Sequence, residues 1–413
     1  MREMKDSGIE WIGEIPKHWK LERLQWHISE IKESNKPEKS RQVLSLTNKR
    51  GVIPYEEKGA QGNVAKEDYS QYKLAYPGTI VANSMNILIG SVGRCNYFGC
   101  VSPVYYVYKP NEGENLEFIG YLFQTEQFQK ELRRYANGIL EIRLRVSSDG
   151  ILKRELPFPP VHEQSLIVSA LNGKVAQVDS LIETIQMQID RLNDYRISVI
   201  SSHTNDTGFR HLKLKRVVNN VEQGWSPSPT ERKDDGGWQV LTLAAVKFGR
   251  FNSENTKPFE GNFERCKPLS INVGDFLLTR SNTKELVGQV CIVNRPMQNT
   301  IFSDLIYRLD LDTRYVSPEF MLYYFQSTQM RQQIQRDAHG SSSTMVKITH
   351  KDIDNWEIDL PDMDKQIKIA EQLNVITRKI DDLTSIKRKK IDKLEQYKQS
   401  LIYEYVTGKR EVM

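Results

Sequence analysis

Residues 159–204 read PPVHEQSLIVSALNGKVAQVDSLIETIQMQIDRLNDYRISVISSHT, and residues 361–406 read PDMDKQIKIAEQLNVITRKIDDLTSIKRKKIDKLEQYKQSLIYEYV. Set against each other at an offset of 202 without a gap, 13 of 46 positions are identical, among them Pro159/Pro361, Gln164/Gln366, Ile167/Ile369, Leu171/Leu373, Asp179/Asp381, Leu192/Leu394 and Tyr195/Tyr397. The offset holds upstream, where Phe118, Tyr121, Phe123, Gln124 and Gln127 recur as Phe320, Tyr323, Phe325, Gln326 and Gln329, and Arg134, Ala136 and Gly138 recur as Arg336, Ala338 and Gly340. Further upstream RQVLSL at 41–46 matches WQVLTL at 238–243, and WKLERL at 19–24 is set against LKLKRV at 212–217. A period of about 200 residues is too long for a solenoid, whose units run to roughly 50. The chain is therefore read as a duplication of one globular domain followed by one helix, imitating a homodimer with a pseudo-twofold arrangement.

The stretch that opened this reading carries its own periodicity. Leu171, Val175, Val178, Ile182, Ile185, Ile189, Leu192 and Val199 follow steps of four and three, broken only by Arg196. Such spacing over four heptads makes a coiled-coil seam. The predicted helix spans about 165–202, roughly 57 Å at 1.5 Å per residue. In the second copy Ile369, Leu373, Ile376, Ile380 and Leu383 keep the rhythm, Lys387 interrupts it, and Ile391, Leu394 and Leu401 resume in a shifted phase. Pro159, Pro160 and Pro361 stand where proline precedes or opens a helix. Each seam has its own repeat as the economical partner, so antiparallel pairing is expected. The run Lys387, Arg388, Lys389, Lys390 reads as a solvated helix face.

The globular units, about 15–155 and 209–358, read as mixed α/β (α+β). Strand-like runs are Val43–Leu46, Thr79–Ala82, Val101–Tyr108, Val240–Leu243, Phe276–Thr279, Val287–Val293 and Leu305–Leu309, rich in β-branched and aromatic residues and bracketed by Gly and Pro. One helix per unit is expected near 116–135 and 318–337, with a core-facing aromatic stripe. After each comes a loop, NGILEIRLRVSSDG at 137–150 and HGSSSTMVKITHKD at 339–352, equivalent in place and different in residues. A constant frame with a variable loop is the pattern of a recognition surface. Asn137, Arg143, Arg145, Ser341, Ser342, Ser343 and Lys347 are the residue types that meet phosphates and base edges. A second pair of loops, NSMNILIG at 83–90 and RSNTKELVG at 280–288, adds Asn83, Asn86, Arg280, Asn282 and Lys284 as candidate DNA contacts, equally good as turn formers.

The bulk numbers agree with a folded protein: 413 residues, 38% hydrophobic, 27% charged, net charge +5. A small positive excess permits a polyanionic partner without requiring one. The opening MREMKDSGIEW is charged and has no apolar run, and no stretch of 18 apolar residues exists. Neither a secretory leader nor a membrane span is expected, and the cytoplasm is the natural compartment. Four cysteines make no disulfide framework, and Cys95 and Cys100 are expected to pack. No Walker loop and no GxGxxG occur, residues 157–160 read PFPP, and the seven histidines form no metal-spaced cluster. No catalytic residue and no metal site are assigned.

The opening SGIEWIGEIPKHWKLERL, the segment LPFPPVHEQSLIVSAL and the ending LEQYKQSLIYEYVTGKREV resemble the specificity subunits of type I restriction–modification systems. The resemblance covers the whole chain and its order of parts. It implies target recognition domains at 1–158 and 206–358, each reading one half of a split double-stranded DNA target, and conserved coiled-coil helices at 159–205 and 359–413 that set the unread spacer. It implies docking of two methyltransferase subunits, which carry S-adenosylmethionine and methylate adenine, and of endonuclease/translocase subunits that use ATP and magnesium. It implies no cofactor and no active site in this chain. The alternative is a self-sufficient DNA methyltransferase or nuclease with an unrecognised active site.

Overall fold

The structure, a computed structural model, describes residues 2–47, 51–58, 68–137, 144–206, 208–227, 237–259, 263–340 and 345–412. The chain forms two compact units, Met1–Ile185 with Lys389–Met413, and Gln186–Arg388. Two helices of 44 residues, α1 (Val161–Thr204) and α2 (Met363–Val406), each contribute to both units.

The first unit is built on an antiparallel sheet in the order Ile28–Glu30, Tyr105–Pro110, Thr79–Asn83, Val92–Cys95. The second has the same order in Val218–Gln223, Ile306–Leu311, Phe276–Thr279, Val290–Ile292. Register fixes the correspondence, since Tyr106 faces Ala82 and Tyr307 faces Leu278. A parallel contact repeats as well: Val43 bridges Cys100, and Val240 pairs with Ile301. The 41–46/238–243 match is thus physical. The 19–24/212–217 match is out by three. The counterparts are Lys20–Arg23 and Arg210–Lys213, which pair with Glu155–Phe158 and Glu357–Leu360 respectively.

Four predicted elements are broken, by a proline, a glycine or a hydroxyl that bonds back to the chain. The run Val101–Tyr108 splits into Gly99–Val101 and Tyr105–Pro110 around Pro103, which cannot donate to a ladder. The helix near 116–135 is two, Leu116–Gln124 and Glu126–Arg133, with the Thr125 hydroxyl bonded back to the Leu122 carbonyl at 2.8 Å. Its counterpart is likewise Pro318–Tyr324 and Thr328–Asp337, the second capped by Ser327. The run Val287–Val293 is a strand only at Val290–Ile292, because Gly288 turns with φ +71°.

Each unit has its own core. Trp19, Tyr108, Phe118, Phe123 and Phe128 fill the first, and Phe320, Tyr324, Phe325 and Trp356 the second. The repeated residues make repeated bonds. Tyr121 donates to Asn172 at 2.6 Å, as Tyr323 does to Asn374 at 2.7 Å. Buried Gln164 donates to the Pro159 carbonyl at 3.0 Å, as Gln366 does to Pro361 at 2.9 Å. In the first unit the opening and closing segments meet: Tyr403 donates to the Trp11 carbonyl at 2.8 Å, and Gly408, at φ +72°, lies against Pro16 where a side chain would collide.

The seam of α1 is buried or half-buried at every predicted position, and Arg196 belongs to it. In the second unit Arg196 is ion-paired with Asp381 of α2 and Lys387 donates to Gln188 of α1 at 2.6 Å, so the helices run antiparallel there. In the first unit Lys398 of α2 pairs with Asp179 of α1 at 2.6 Å, the same ion pair displaced by 202 residues in both partners. The α2 seam does not shift phase. Leu383 is exposed, and Ile380, Thr384, Lys387, Ile391, Leu394, Lys398 and Leu401 continue the four–three steps as buried or half-buried positions. Arg388, Lys389 and Lys390 are exposed.

Candidate nucleic-acid interface

In the two units the inner strands Thr79–Asn83 and Phe276–Thr279 run into the 83–90 and 280–288 loops, and Arg145–Val146 and Val346–Lys347 fold back onto those ends. In the first unit Ala136–Asn137 pairs with Arg145–Val146, Val146 N–H donates to the Ser84 carbonyl at 3.2 Å, and the Tyr106 hydroxyl donates to the Val146 carbonyl at 3.1 Å. In the second unit His339 and Lys347 exchange backbone bonds at 2.9 and 2.7 Å, Ser281–Asn282 pairs with Val346–Lys347, and Ile348 N–H donates to the Arg280 carbonyl at 2.9 Å. Tyr307 reaches the Ile348 carbonyl at 3.4 Å, repeating Tyr106. Two loops read separately from the sequence are therefore one surface in each unit, cross-braced by a tyrosine.

The structure sorts the candidates. Arg145 and Lys347, 202 residues apart, are exposed at the base of the two hairpins. Asn86, Asn137 and Lys284 are also exposed. Asn83 is 7% exposed and its side-chain oxygen accepts from Met85 N–H at 3.0 Å, so it shapes the turn and cannot reach a ligand. Asn282 is half-buried and accepts from Thr283 N–H at 2.9 Å. Arg280 is half-buried over the Tyr307 ring, 5.6 Å from its centroid. Arg143, Ser341, Ser342 and Ser343 lie outside the described residues.

Sequence reasoning missed Tyr106 and Tyr307, although both lie in strands that repeat. It also missed Arg331, which donates to the Glu285 carbonyl at 3.0 Å beneath the 280–288 loop. Burial pulls the Arg331 guanidinium down to about 10.

Among the described residues no three His, Cys, Asp or Glu stand together as a metal site. The four cysteines are buried and form no disulfide among the described residues, and burial pushes Cys100 up to about 11, the opposite of an activated nucleophile. A cleft of about 390 Å³ in the second unit is lined by Glu222, Asp275 and Asp310 around Arg308, an acidic setting unsuited to phosphate. No described helix is long and apolar enough to cross a membrane.

Residues 212–396 match the protein family described as type I restriction modification DNA specificity domain. The chain is 22% identical over 307 residues to the EcoKI specificity subunit of Escherichia coli, covering 70% of this chain and 65% of that one. It is 23% identical to the putative MjaX specificity subunit of Methanocaldococcus jannaschii, covering 97% and 96%. A chain from a solved structure concerned with complex assembly and conformational transition of a type I restriction–modification system superposes with a TM-score of 0.68 at 14% identity, covering 96% of this chain and 99% of that one. That likeness extends to both units and both long helices.

Proposed function

We infer that the chain belongs to the family of type I restriction–modification specificity subunits, and that each unit reads one half of a split DNA target. The observation that carries this reading is the doubled surface: one braced frame, built twice, presenting Arg145 in one copy and Lys347 in the other beside loops of unrelated sequence. Exposed cations supply affinity and register through phosphates. Polar loop residues supply base contacts, at roughly 1–3 kcal/mol per good bidentate pair. In this reading the chain performs no chemistry and holds no cofactor. Partner methyltransferase subunits bring S-adenosylmethionine, partner endonuclease subunits bring ATP and magnesium, and the assembly works in the cytoplasm. Mapping methylated adenines across the genome, with and without this chain, tests it: a bipartite motif disappears with the chain, and a map that stays unchanged refutes the reading.

The long helices supply a reason for two partner copies. Positions flanking a coiled-coil seam are ordinarily charged. Here Leu181 of α1 and Tyr397 of α2 flank the Asp179–Lys398 pair in the first unit, 52% and 50% exposed. Leu383 of α2 and Tyr195 of α1 flank the Asp381–Arg196 pair in the second, 47% and 55% exposed. These exposed positions are equivalent under the 202-residue repeat, and we assign each set to one methyltransferase subunit. Leu181→Asp or Leu383→Asp alone leaves one partner copy bound, and the double variant leaves none, read as the mass of the assembled complex with the melting curve as folding control. Two copies retained by a folded double variant would refute the assignment.

A further inference from the structure

We propose that the second unit meets DNA phosphates through two guanidiniums, Arg280 and Arg331, for which the first unit has no counterpart, so the two half-sites are held with unequal dependence on salt. The proposal rests on the DNA reading above.

The strand registers make Ser84 the counterpart of Arg280, each two residues beyond the partner of Tyr106 or Tyr307. The offset of 202 makes Gln129 the counterpart of Arg331. Both second-unit cations are only partly satisfied. Arg280 donates to the Asp304 carbonyl at 3.4 Å, and its Nε is buried without a partner. Arg331 donates to the Glu285 carbonyl, and its Nη1 is buried without a partner. Among the described residues neither has a carboxylate at ion-pair distance. Other half-buried arginines of the same unit are neutralised: Arg308 by Glu222 and by Asp275 at 3.1 Å, and Arg196 by Asp381. Burying a guanidinium without its anion is costly. Two such cations, one opening the 280–288 loop and one beneath it, with exposed Lys284 on the loop and Lys347 on the strand beside it, ask for an anion that the unit does not contain.

The first unit is neutral at both places. Ser84 accepts the hairpin bond from Val146 and donates its N–H to the Val104 carbonyl at 3.3 Å, and Gln129 donates to the Phe123 carbonyl at 3.2 Å. The cation that does cover Tyr106, Lys73 at 5.0 Å from the ring, has Glu30 at 3.4 Å. Uncompensated charge favours a phosphate over a base edge, because a base edge carries no net charge to neutralise it.

The test is the salt dependence of binding by the full chain to a duplex carrying its motif. Arg280→Gln and Arg331→Met each lower the slope of log affinity against log salt by about one, and weaken all sequences alike. Ser84→Ala and Gln129→Ala leave the slope unchanged. Arg331→Met also melts higher than the parent without DNA, since it removes an unpaired buried charge, and so weak binding cannot be put down to misfolding. An unchanged slope, or a loss confined to one base position, overturns the proposal while leaving the DNA reading intact. A parent chain that binds no DNA overturns both.

Discussion

Removing one heptad from each long helix, residues 183–189 of α1 and 385–391 of α2, leaves both half-sites unchanged and shortens the unread gap between them. The two deletions are matched because the ion pairs Asp179–Lys398 and Asp381–Arg196 lie outside the excised segments, so each unit keeps its own pairing and register. Seven helical residues measure about 10 Å, and duplex DNA rises about 3.4 Å per base pair, so the gap closes by about three base pairs. The effect is all-or-none on the methylome: the parental motif vanishes and a shorter one replaces it. Deleting the heptad from α1 alone misaligns the seams and abolishes modification. A methylome with altered half-sites and an unaltered gap would contradict the role given to the helices.

Trp356→Ala destabilises the second unit by roughly 3–5 kcal/mol, the usual cost of emptying a fully buried indole site. Trp356 is 0% exposed, packs edge-on to Phe325 at 6.1 Å, and its carbonyl accepts the Leu214 N–H at 2.8 Å. The buried core of the first unit shares no residue with that around Trp356. Calorimetry of the variant therefore shows one transition lowered by about 10 °C or more and the other nearly in place. Trp19→Ala, in the first core, moves the other transition. Both transitions falling together in either variant would mean a single cooperative core.

The duplication was legible because its residues act in pairs and both members repeat. Tyr121 with Asn172, Gln164 with Pro159, and Asp179 across from Lys398 each constrain two positions, so at an offset of 202 identity, or for Arg196 and Lys398 the charge, survives where exposed neighbours differ. The α1 seam was legible from apolar spacing. The α2 seam was not, because Thr384, Lys387 and Lys398 occupy seam positions as polar residues, with Gln188 and Asp179 answering the two lysines, while apolar Leu383 lies outside it. Spacing sees hydrophobicity and cannot see a partner's oxygen. The breaks at Thr125 and Ser327 were hidden for a related reason, since the capping hydroxyls interrupt a helix without altering its apolar stripe. In the candidate interface the loops were legible as positions and their chemistry only in part. Asn83 was the right residue type in the right loop, yet its amide is spent on the turn, whereas Arg331 lies on a helix far along the chain and meets the loop only through the fold.

In the proposed function the two units, built on one frame, read DNA independently of each other. Replacing residues 209–358 with the corresponding segment of another family member, and mapping methylated adenines, tests it most directly. One half of the motif is expected to change while the other half and the gap stay as they were. Both halves changing together, or neither, would contradict it.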